Sequence, residues 1–459
     1  MKPLRILVTL LLACLACLVV VPKAWAFCGF YVAKADTKLY NQASQVAIAR
    51  SENHTVLTMA NDYQGEVEDF AIVVPVPVVL QKEQVKVTNP TIMERLDAFS
   101  APRLVEYFDP DPCAPDYLED RVPSAPRNAG NASIGAGERD GSLGVRIEAK
   151  FTVGEYDILI LSAKESGGLE TWLVRNGYKI PQGAKQLLKP YIRQKMKFFV
   201  AKVNLKEFDK AGFQSLRPLQ ITYDSPRFML PIRLGMVNAK AAQDLIVYIL
   251  SPKGQAKVTN YRTVKVPSDA EIPLFVKNEF SDFYKSMFQT SYTKEGRNVA
   301  FLEYAWDMAS CDPCSADPLT PEELKEAGVF WLDTPQDESP VPMGSGRRPF
   351  VRSSSVFISR LHVRYTRDKF PEDLMFQETG NQEFFQGRYV LRHPYTGEAK
   401  CKEGRQYQRS LPRRFEQEAQ NLAQLTGWDI RKIRQKLPQI QSQLLPWWQR
   451  AWSAFTGAA

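Results

Sequence analysis

Two cysteines at the spacing of a redox or metal-binding motif are the first residues that point to chemistry. Cys311 and Cys314 form a C-x-x-C sequence, which occurs in thiol-disulfide exchange centres, in local structural disulfides and as half of a zinc site. A redox centre places its first cysteine at the N-terminus of a helix, where the helix dipole lowers the thiol pKa. Here the helix signal comes later, at the capping box Thr320–Glu323. The pair is therefore predicted to lie in a loop, which favours a local structural disulfide over a redox centre or a zinc half-site.

Cys28, Cys113 and Cys401 are the other cysteines outside the N-terminal leader. In an exported protein such thiols usually form disulfides. The five cysteines allow at most two bridges, and the sequence alone permits many arrangements of them. After Cys311–Cys314, the next expected bridge is Cys28–Cys113, which would leave Cys401 free or bonded to a partner.

A strand with alternating basic residues is the second candidate site. Period-2 alternation from Ser359 to Thr366 places Arg360, His362 and Arg364 on one face and apolar residues on the other. Such a face attracts carboxylates and sulfated or phosphorylated sugars, because arginine binds these groups in bidentate fashion. The alternative is a solvated face, or one paired with the acidic stretch 301–340, which has ten acidic residues and one basic residue.

The sequence lacks several motifs for nucleophilic catalysis, metal binding and phosphate binding. It contains no G-x-S-x-G, H-E-x-x-H or G-x-x-x-x-G-K. Only three histidines are present, none at a paired spacing for a metal, and the net charge of +8 is too small to indicate nucleic acid. No cofactor, no metal and no nucleic acid are therefore expected, and an enzymatic function is disfavoured.

The N-terminus has the pattern of a secretory signal peptide. The basic residues Lys2 and Arg5 precede an apolar run from Ile6 to Val21, and Ala24-Trp25-Ala26 forms a small-x-small cleavage site. Cleavage after Ala26 would place the mature protein in the periplasm or outside the cell. An uncleaved anchor or lipidation at a leader cysteine is the alternative.

Apolar runs of strand length and a few helical stretches follow one another in no regular order. This pattern predicts an α+β fold with mostly antiparallel sheets, several helices and a helical C-terminal tail. The run Phe70–Val74 is typical of a strand buried on both faces, and Pro75 and Pro77 are expected to end it or to place it at a sheet edge. The predicted parts are a signal peptide (1–26), an N-terminal β-rich part (27–108), an irregular Pro/Gly-rich loop (109–144), a main α+β body (145–400) and a basic helical tail (401–459).

The tail combines positive charge with helical periodicity. Residues 401–459 contain ten basic and four acidic residues, and apolar residues recur at helical spacing from Arg413 to Lys436 with a break at Gly427. Such a helix either lies on an anionic membrane or envelope surface or packs its apolar side onto the body of the protein.

Six runs of the sequence together suggest a relationship to a known family. They are Ala26–Val32, Met59–Tyr63, Val73–Pro77, Glu303–Asp307, Leu361–Tyr365 and Leu425–Trp428. Together these runs resemble a family of exported bacterial proteins catalogued as domain of unknown function 2330. The resemblance covers nearly the whole mature chain and implies export and a shared fold, but no activity.

Two functional hypotheses follow from these patterns. The leading one is an exported, non-enzymatic binding or structural factor of the cell envelope. The alternative is a thiol-disulfide or disulfide-dependent envelope factor that uses Cys311 and Cys314.

Overall fold

A computed structural model shows how the elements of the chain are arranged. It describes residues 30–33, 40–41, 44–60, 63–64, 70–114, 145–176, 184–211, 216–236, 242–310, 316–332 and 355–438. Within these segments the strands are β1 (Phe30–Ala33), β2 (Tyr40–Asn41), β3 (Ser44–Ser51), β4 (His54–Ala60), β5 (Tyr63–Gln64), β6 (Phe70–Val76), β7 (Val85–Val87), β8 (Arg103–Phe108), β9 (Val145–Val153), β10 (Tyr156–Ala163), β11 (Lys197–Val203), β12 (Leu219–Asp224), β13 (Met229–Leu230), β14 (Gln243–Ser251), β15 (Ala256–Val258), β16 (Arg262–Lys265), β17 (Ala270–Glu271), β18 (Val299–Asp307), β19 (Phe357–Tyr365), β20 (Leu374–Glu378), β21 (Phe385–Gln386) and β22 (Arg388–His393). The α-helices are α1 (Thr91–Ser100), α2 (Ser166–Arg175), α3 (Ala184–Arg193), α4 (Leu205–Ala211), α5 (Phe280–Lys294), α6 (Pro321–Glu326), α7 (Lys402–Thr426) and α8 (Ile430–Lys436).

Two large sheets organise these elements. The larger has the strand order β16-β18-β19-β14-β3-β4-β12-β7, with β21 paired to β18, and the smaller has the order β1-β6-β11-β10-β9. Most strand pairs are antiparallel, and the parallel ones include β3 with β14 and β8 with β22. The fold is therefore α+β with mostly antiparallel sheets and C-terminal helices, as the sequence predicts. Strands from both sides of segment 109–144 contribute to the larger sheet.

Apolar side chains fill the space between the two sheets and under the helices. One cluster joins Ile72 and Phe199 of the smaller sheet to Leu57 and Val247 of the larger one. The outer face of the smaller sheet is covered by α2 and α3, and the outer face of the larger sheet by α1, α5 and α6. The chain thus forms four layers, in which each sheet buries one face against the other sheet and one against helices.

The strand β6 ends at Val76, directly before Pro77, but it continues through Pro75. It lies between β1 and β11, so the expectation that it forms a sheet edge is wrong. Within the described residues, β1 pairs with β6 from Phe70 to Val73, and β11 pairs with it from Ala71 to Val76. Pro75 lies opposite Phe198 of β11, so the pairing with β11 continues past the proline.

Helix α6 begins where its sequence predicts. Thr320 and Glu323 form the capping box at its start. At its end Gly328 has a φ of +102°, and the N–H groups of Gly328 and Val329 donate to the carbonyls of Lys325 and Leu324. These two bonds form a Schellman motif, which needs a left-handed residue at the position of Gly328.

Replacement of Gly328 by alanine is expected to destabilise the protein by about 1–3 kcal/mol. An added Cβ would be strained at this φ and would lie 2.6 Å from Cγ1 of Val56 in the core. Urea unfolding measures the effect, and Gly380→Ala is the control because a Cβ there meets nothing within 4 Å. Equal unfolding free energies for the two variants would contradict this reason.

The described part of the tail packs onto the body of the protein. Helices α7 and α8 meet at Gly427, which has a φ of +73°, at the break that the sequence predicts. Leu422 and Ile433 are buried with residues of α5 and β22, and the Trp428 indole N–H donates to Ser286 at 3.0 Å. Residues 439–459, with their three tryptophans, lie outside the described residues.

A polar cluster around Asp109 holds α7 against the segment that follows β8. Asp109 accepts hydrogen bonds from Tyr407 and Arg414 of α7, both at 2.5 Å. Glu418, one turn further along α7, is 2% exposed, and its Oε1 has no hydrogen-bond partner among the described residues. Burial raises the pKa of the Glu418 carboxyl to about 7, although Arg414 lies nearby.

Glu418→Gln is expected to raise the unfolding free energy at pH 8 by about 1–3 kcal/mol and to leave it nearly unchanged at pH 4.5. The pKa of the buried carboxyl lies above its unfolded value, so its favourable contribution is complete below about pH 4.5 and is lost as the pH rises through 7. The variant removes this loss because glutamine does not ionise. Urea unfolding at the two pH values tests it, and an equal effect at both would show that the carboxyl does not titrate in this range.

No α-helix of the described residues is long and apolar enough to cross a membrane.

Candidate functional site

The strongest concentration of buried charge lies on the outer face of the larger sheet, under helices α1 and α5. Strand β19 places Arg360, His362 and Arg364 on this face, while Leu361 and Val363 point into the core between the sheets. The alternation predicted for this strand is thus present. The three basic side chains belong to a row of alternating charges, here named the ion ladder. The ion ladder consists of Asp97, Arg360, Glu303, His362, Asp244 and Arg364.

A β-bulge puts Glu303 at the centre of the ion ladder. In the pairing of β18 with β19, Leu302 is opposite Leu361 and Tyr304 is opposite Arg360, so Glu303 is the extra residue. A bulge re-aims a side chain that a regular strand would direct elsewhere. The Glu303 carboxylate consequently lies between Arg360 and His362, with its side chain 1% exposed.

Arg360 joins the central strand to helix α1. Its Nε donates to Oε2 of Glu303 and its Nη1 to Oδ1 of Asp97, both at 2.6 Å. The guanidinium also lies over the ring of Tyr248 at 5.3 Å. Burial opposes the charge of Arg360, but the surrounding groups outweigh it and the pKa is raised above its ordinary value. The guanidinium is therefore charged at every pH at which the protein is folded.

His362 uses both ring nitrogens within the protein. Its Nδ1 is 2.7 Å from Glu303 and its Nε2 is 3.2 Å from Asp244, while the ring stacks on Phe288 with centroids 3.8 Å apart. Burial disfavours the charged form, but the two carboxylates outweigh it and raise the pKa of His362. The imidazolium balances the charge of the ion ladder, which then has as many cations as carboxylates.

The outer end of the ion ladder is a bidentate pair. Nε and Nη2 of Arg364 donate to the two oxygens of Asp244 at 2.7 and 2.8 Å, and Nη1 donates to Gln289 of α5 at 2.8 Å. Burial raises the pKa of Asp244, but hydrogen bonds from His362 and Arg364 outweigh it and hold the pKa well below its usual range. For Glu303, burial is likewise outweighed by His362 and Arg360, and its pKa falls to about 2.

This geometry limits the chemistry of the predicted basic face. An external anion would have to compete with Glu303, Asp97 and Asp244 for the guanidinium groups. The His362 imidazolium would have to lose a proton and release a carboxylate before it could accept a proton from a substrate. Glu303 belongs to the acidic stretch 301–340, so its pairing with Arg360 and His362 matches the alternative that the sequence left open.

The protonation of His362 should persist above pH 6.5, and NMR titration of the imidazole C–H signals measures it. Only three histidines are present, which makes assignment by His→Gln variants direct.

The shifted pKa values of His362 and Glu303 make the stability of the fold depend on pH. The raised pKa of His362 stabilises the fold below pH 6.5, and this is lost as the pH rises through the folded value. The lowered pKa of Glu303 stabilises it above pH 4.5, and this is lost as the pH falls towards 2. A His362 midpoint at or below 6.5 would contradict the ladder.

The cysteines differ from the expected pairing. Cys113 forms a disulfide with Cys401, with Cα atoms 5.8 Å apart and a sequence separation of 288. The expected Cys28–Cys113 bridge is therefore wrong, and Cys401 is neither free nor bonded to a partner. The cause is the parallel pairing of β8 with β22, which ends at Phe108 and His393 and brings the following segments together. Cys28, Cys311 and Cys314 lie outside the described residues.

The sequence reasoning did not identify Asp97 or Asp244, and it included Glu303 only as one residue of the acidic stretch 301–340. Glu303 is an acidic residue inside an otherwise apolar strand, and Asp244 is the acidic residue at the start of another. A carboxylate in such a setting must be paired when buried, which is the signal that could have identified both. Asp97 lies on a helix and carries no comparable signal. Within the described segments, no group of three or more His, Cys, Asp or Glu residues is arranged to hold a metal.

Comparison with known proteins places the chain among bacterial sequences. The family model described as an uncharacterized protein conserved in bacteria, domain of unknown function 2330, matches residues 22–377. Searches of curated proteins and of solved structures gave no match to the chain.

Proposed function

The chain belongs to this family of uncharacterized bacterial proteins, and on that premise we propose that it is an exported, non-enzymatic binding or structural factor of the cell envelope. The observation that carries the proposal is the disulfide between Cys113 and Cys401. Disulfides persist in oxidising compartments and are rare in the bacterial cytosol. The signal-like residues 1–26 support the same location.

The charged side chains of the ion ladder bond to one another, which supports a non-enzymatic role. A catalytic acid or base needs an atom within reach of a substrate proton. Both nitrogens of His362 face carboxylates of the chain, and the side chain of Glu303 is 1% exposed. These groups instead connect strands β14, β18 and β19 to α1 and α5, so they stabilise the packing of the two helices on the sheet.

The proposed partner is an anionic lipid surface, bound through one side of α7. Lys402, Arg405, Arg409 and Arg413 follow at three- and four-residue intervals and are all exposed, so they form one stripe, the cationic stripe. It extends for about 16 Å along the helix. Lys402, Arg409 and Arg413 have no ion-pair or hydrogen-bond partner within the described residues.

The cationic stripe lies on the side of α7 opposite to its buried residues. Leu411, Phe415 and Leu422 of α7 are buried, at positions half a helical turn away from the stripe. The helix can therefore remain docked on the body while its arginines meet a surface. Each Lys or Arg near an anionic bilayer contributes about 1 kcal/mol of binding free energy.

Export is tested by the N-terminus and the location of the full-length chain expressed in a bacterium. We expect a mature N-terminus at Phe27 in the periplasmic or extracellular fraction. A variant with Ala24→Phe and Ala26→Phe should retain its leader, because the cleavage site requires small residues. An intact leader in the native sequence, together with a cytosolic location, would overturn the proposal.

Surface binding is tested by co-sedimentation of the mature chain with vesicles of phosphatidylglycerol and phosphatidylcholine. The variant Arg409→Gln/Arg413→Gln should bind anionic vesicles about 10- to 30-fold more weakly. The matched control Arg431→Gln/Lys432→Gln removes the same charge from exposed residues of α8 and should bind like wild type. Equal weakening by both variants, or no preference for phosphatidylglycerol, would contradict a role for the stripe.

The competing hypothesis assigns thiol-disulfide exchange to Cys311 and Cys314. The reduction potential of this pair, measured in the Cys113→Ser/Cys401→Ser background, separates the two hypotheses. A structural disulfide is expected below about −300 mV. A value near those of disulfide oxidoreductases, above about −270 mV, would favour the redox function instead.

A further inference from the structure

A cleft lies between the edge strand β16 and helices α5 and α7, apart from the ion ladder and from the cationic stripe. Its volume is about 430 Å³. Sites for small molecules usually have volumes of about 300–1,000 Å³ and combine an apolar lining with a few convergent polar groups. The cleft thus has the size of a site for a small ligand.

The lining is divided into an apolar part and a polar part. Val264, Phe301 and Leu425 supply the apolar part. Phe301 is 1% exposed and packs against Phe288 with ring centroids 5.1 Å apart, so this wall is held by the core. Thr290, Lys294 and Gln424 supply polar groups from the two facing helices. A ligand would therefore meet a rigid apolar surface on one side and hydrogen-bonding groups on the other.

Three of the polar groups have unused hydrogen-bonding capacity. The Thr290 hydroxyl, the Lys294 ammonium and the Gln424 amide have no hydrogen-bond or ion-pair partner within the described residues. The other charged residues of the lining are paired: Lys265 lies 2.8 Å from Glu383, and Glu295 lies 2.7 Å from Arg262. The unpaired charge of the cleft is consequently positive and belongs to Lys294.

We propose that this cleft binds a small acidic saccharide of the uronic acid class. Its carboxylate would pair with the Lys294 ammonium in a charge-assisted hydrogen bond. Its ring hydroxyls would bond to Gln424 and Thr290, and the apolar face of the ring would lie on Val264 and Leu425. A sugar acid satisfies both parts of the lining, whereas a simple inorganic anion uses only Lys294.

Isothermal titration of the mature full-length chain with galacturonate, galactose and inorganic phosphate tests this assignment. Galacturonate should bind in the millimolar range, and galactose and phosphate should each bind about tenfold more weakly, since each lacks one of the two sets of contacts. Lys294→Met should weaken galacturonate about tenfold and leave galactose unchanged. Gln424→Leu should weaken both sugars.

Lys285→Met is the matched control. Lys285 lies on the opposite side of α5, exposed and next to Asp282, and its loss should leave galacturonate binding unchanged. Both lysines are exposed, so unfolding curves of the two variants should coincide with wild type. Absence of saturable galacturonate binding, equal affinity for galactose, or equal affinity in Lys294→Met and wild type would overturn the proposal.

Discussion

Replacement of Glu303 by glutamine is expected to lower the unfolding free energy by about 3–5 kcal/mol, because it leaves two buried cations without their shared counter-charge. Arg360 and His362 each lie within 2.7 Å of the Glu303 carboxylate. Removing one partner of a buried ion pair costs more than the pair itself contributes, since the remaining charge stays out of water. Urea unfolding at pH 6 measures the loss.

The control for this variant is Glu383→Gln. Glu383 pairs with Lys265 at 2.8 Å, but the side chains are 61% and 43% exposed. Exposed pairs contribute little to stability, because water screens their charges. NMR adds a second readout, because loss of Glu303 should lower the midpoint of His362 towards its ordinary value. If Glu303→Gln and Glu383→Gln have the same small effect, the ion ladder does not stabilise the fold in the way described.

Loss of the Cys113–Cys401 disulfide is the second change with a large expected effect, a loss of about 2–4 kcal/mol of unfolding free energy. The bridge closes a loop with a sequence separation of 288, so its removal greatly increases the freedom of the unfolded chain. It also fixes the start of α7, where the Cys401 sulfur accepts a hydrogen bond from the Gly404 N–H at 3.0 Å. Urea unfolding of Cys113→Ser/Cys401→Ser against wild type, without reductant, measures the loss.

Dithiothreitol should reduce the stability of the wild type to near that of the double serine variant. Cys311→Ser/Cys314→Ser is the control for the other predicted bridge, which closes only a short loop and should contribute less. Packing of Leu422 and Trp428 and the contacts of Asp109 should keep α7 docked when the bridge is open. An unfolding curve of Cys113→Ser/Cys401→Ser that coincides with wild type would contradict a stabilising role.

Local sequence patterns predicted the elements that depend on local physics. The strands β3, β4 and β6 follow from apolar runs, and the break between α7 and α8 follows from Gly427, whose left-handed φ suits glycine. Pro75 did not end its strand, because β11 continues to pair with β6 beyond it. Local sequence does not show which strands will be neighbours in a sheet.

The partners of the ion ladder and of Cys113 depend on topology instead. Strand alternation placed Arg360, His362 and Arg364 on one face, but Glu303 and Asp97 are 57 and 263 positions from Arg360. Cys401 reaches Cys113 only because β8 and β22 run parallel. Contacts between such distant positions follow from the arrangement of the sheets, which local periodicity does not specify.

The central claim is that the protein is exported and that a disulfide attaches its C-terminal tail to the body. The most direct test is a peptide map of the protein purified from cells without reductant, after free thiols have been alkylated. We predict a disulfide-linked pair of peptides that contain Cys113 and Cys401, in a chain whose first residue is Phe27. Alkylated Cys113 and Cys401 in a chain that begins at Met1 would contradict both the disulfide and the location in an oxidising compartment.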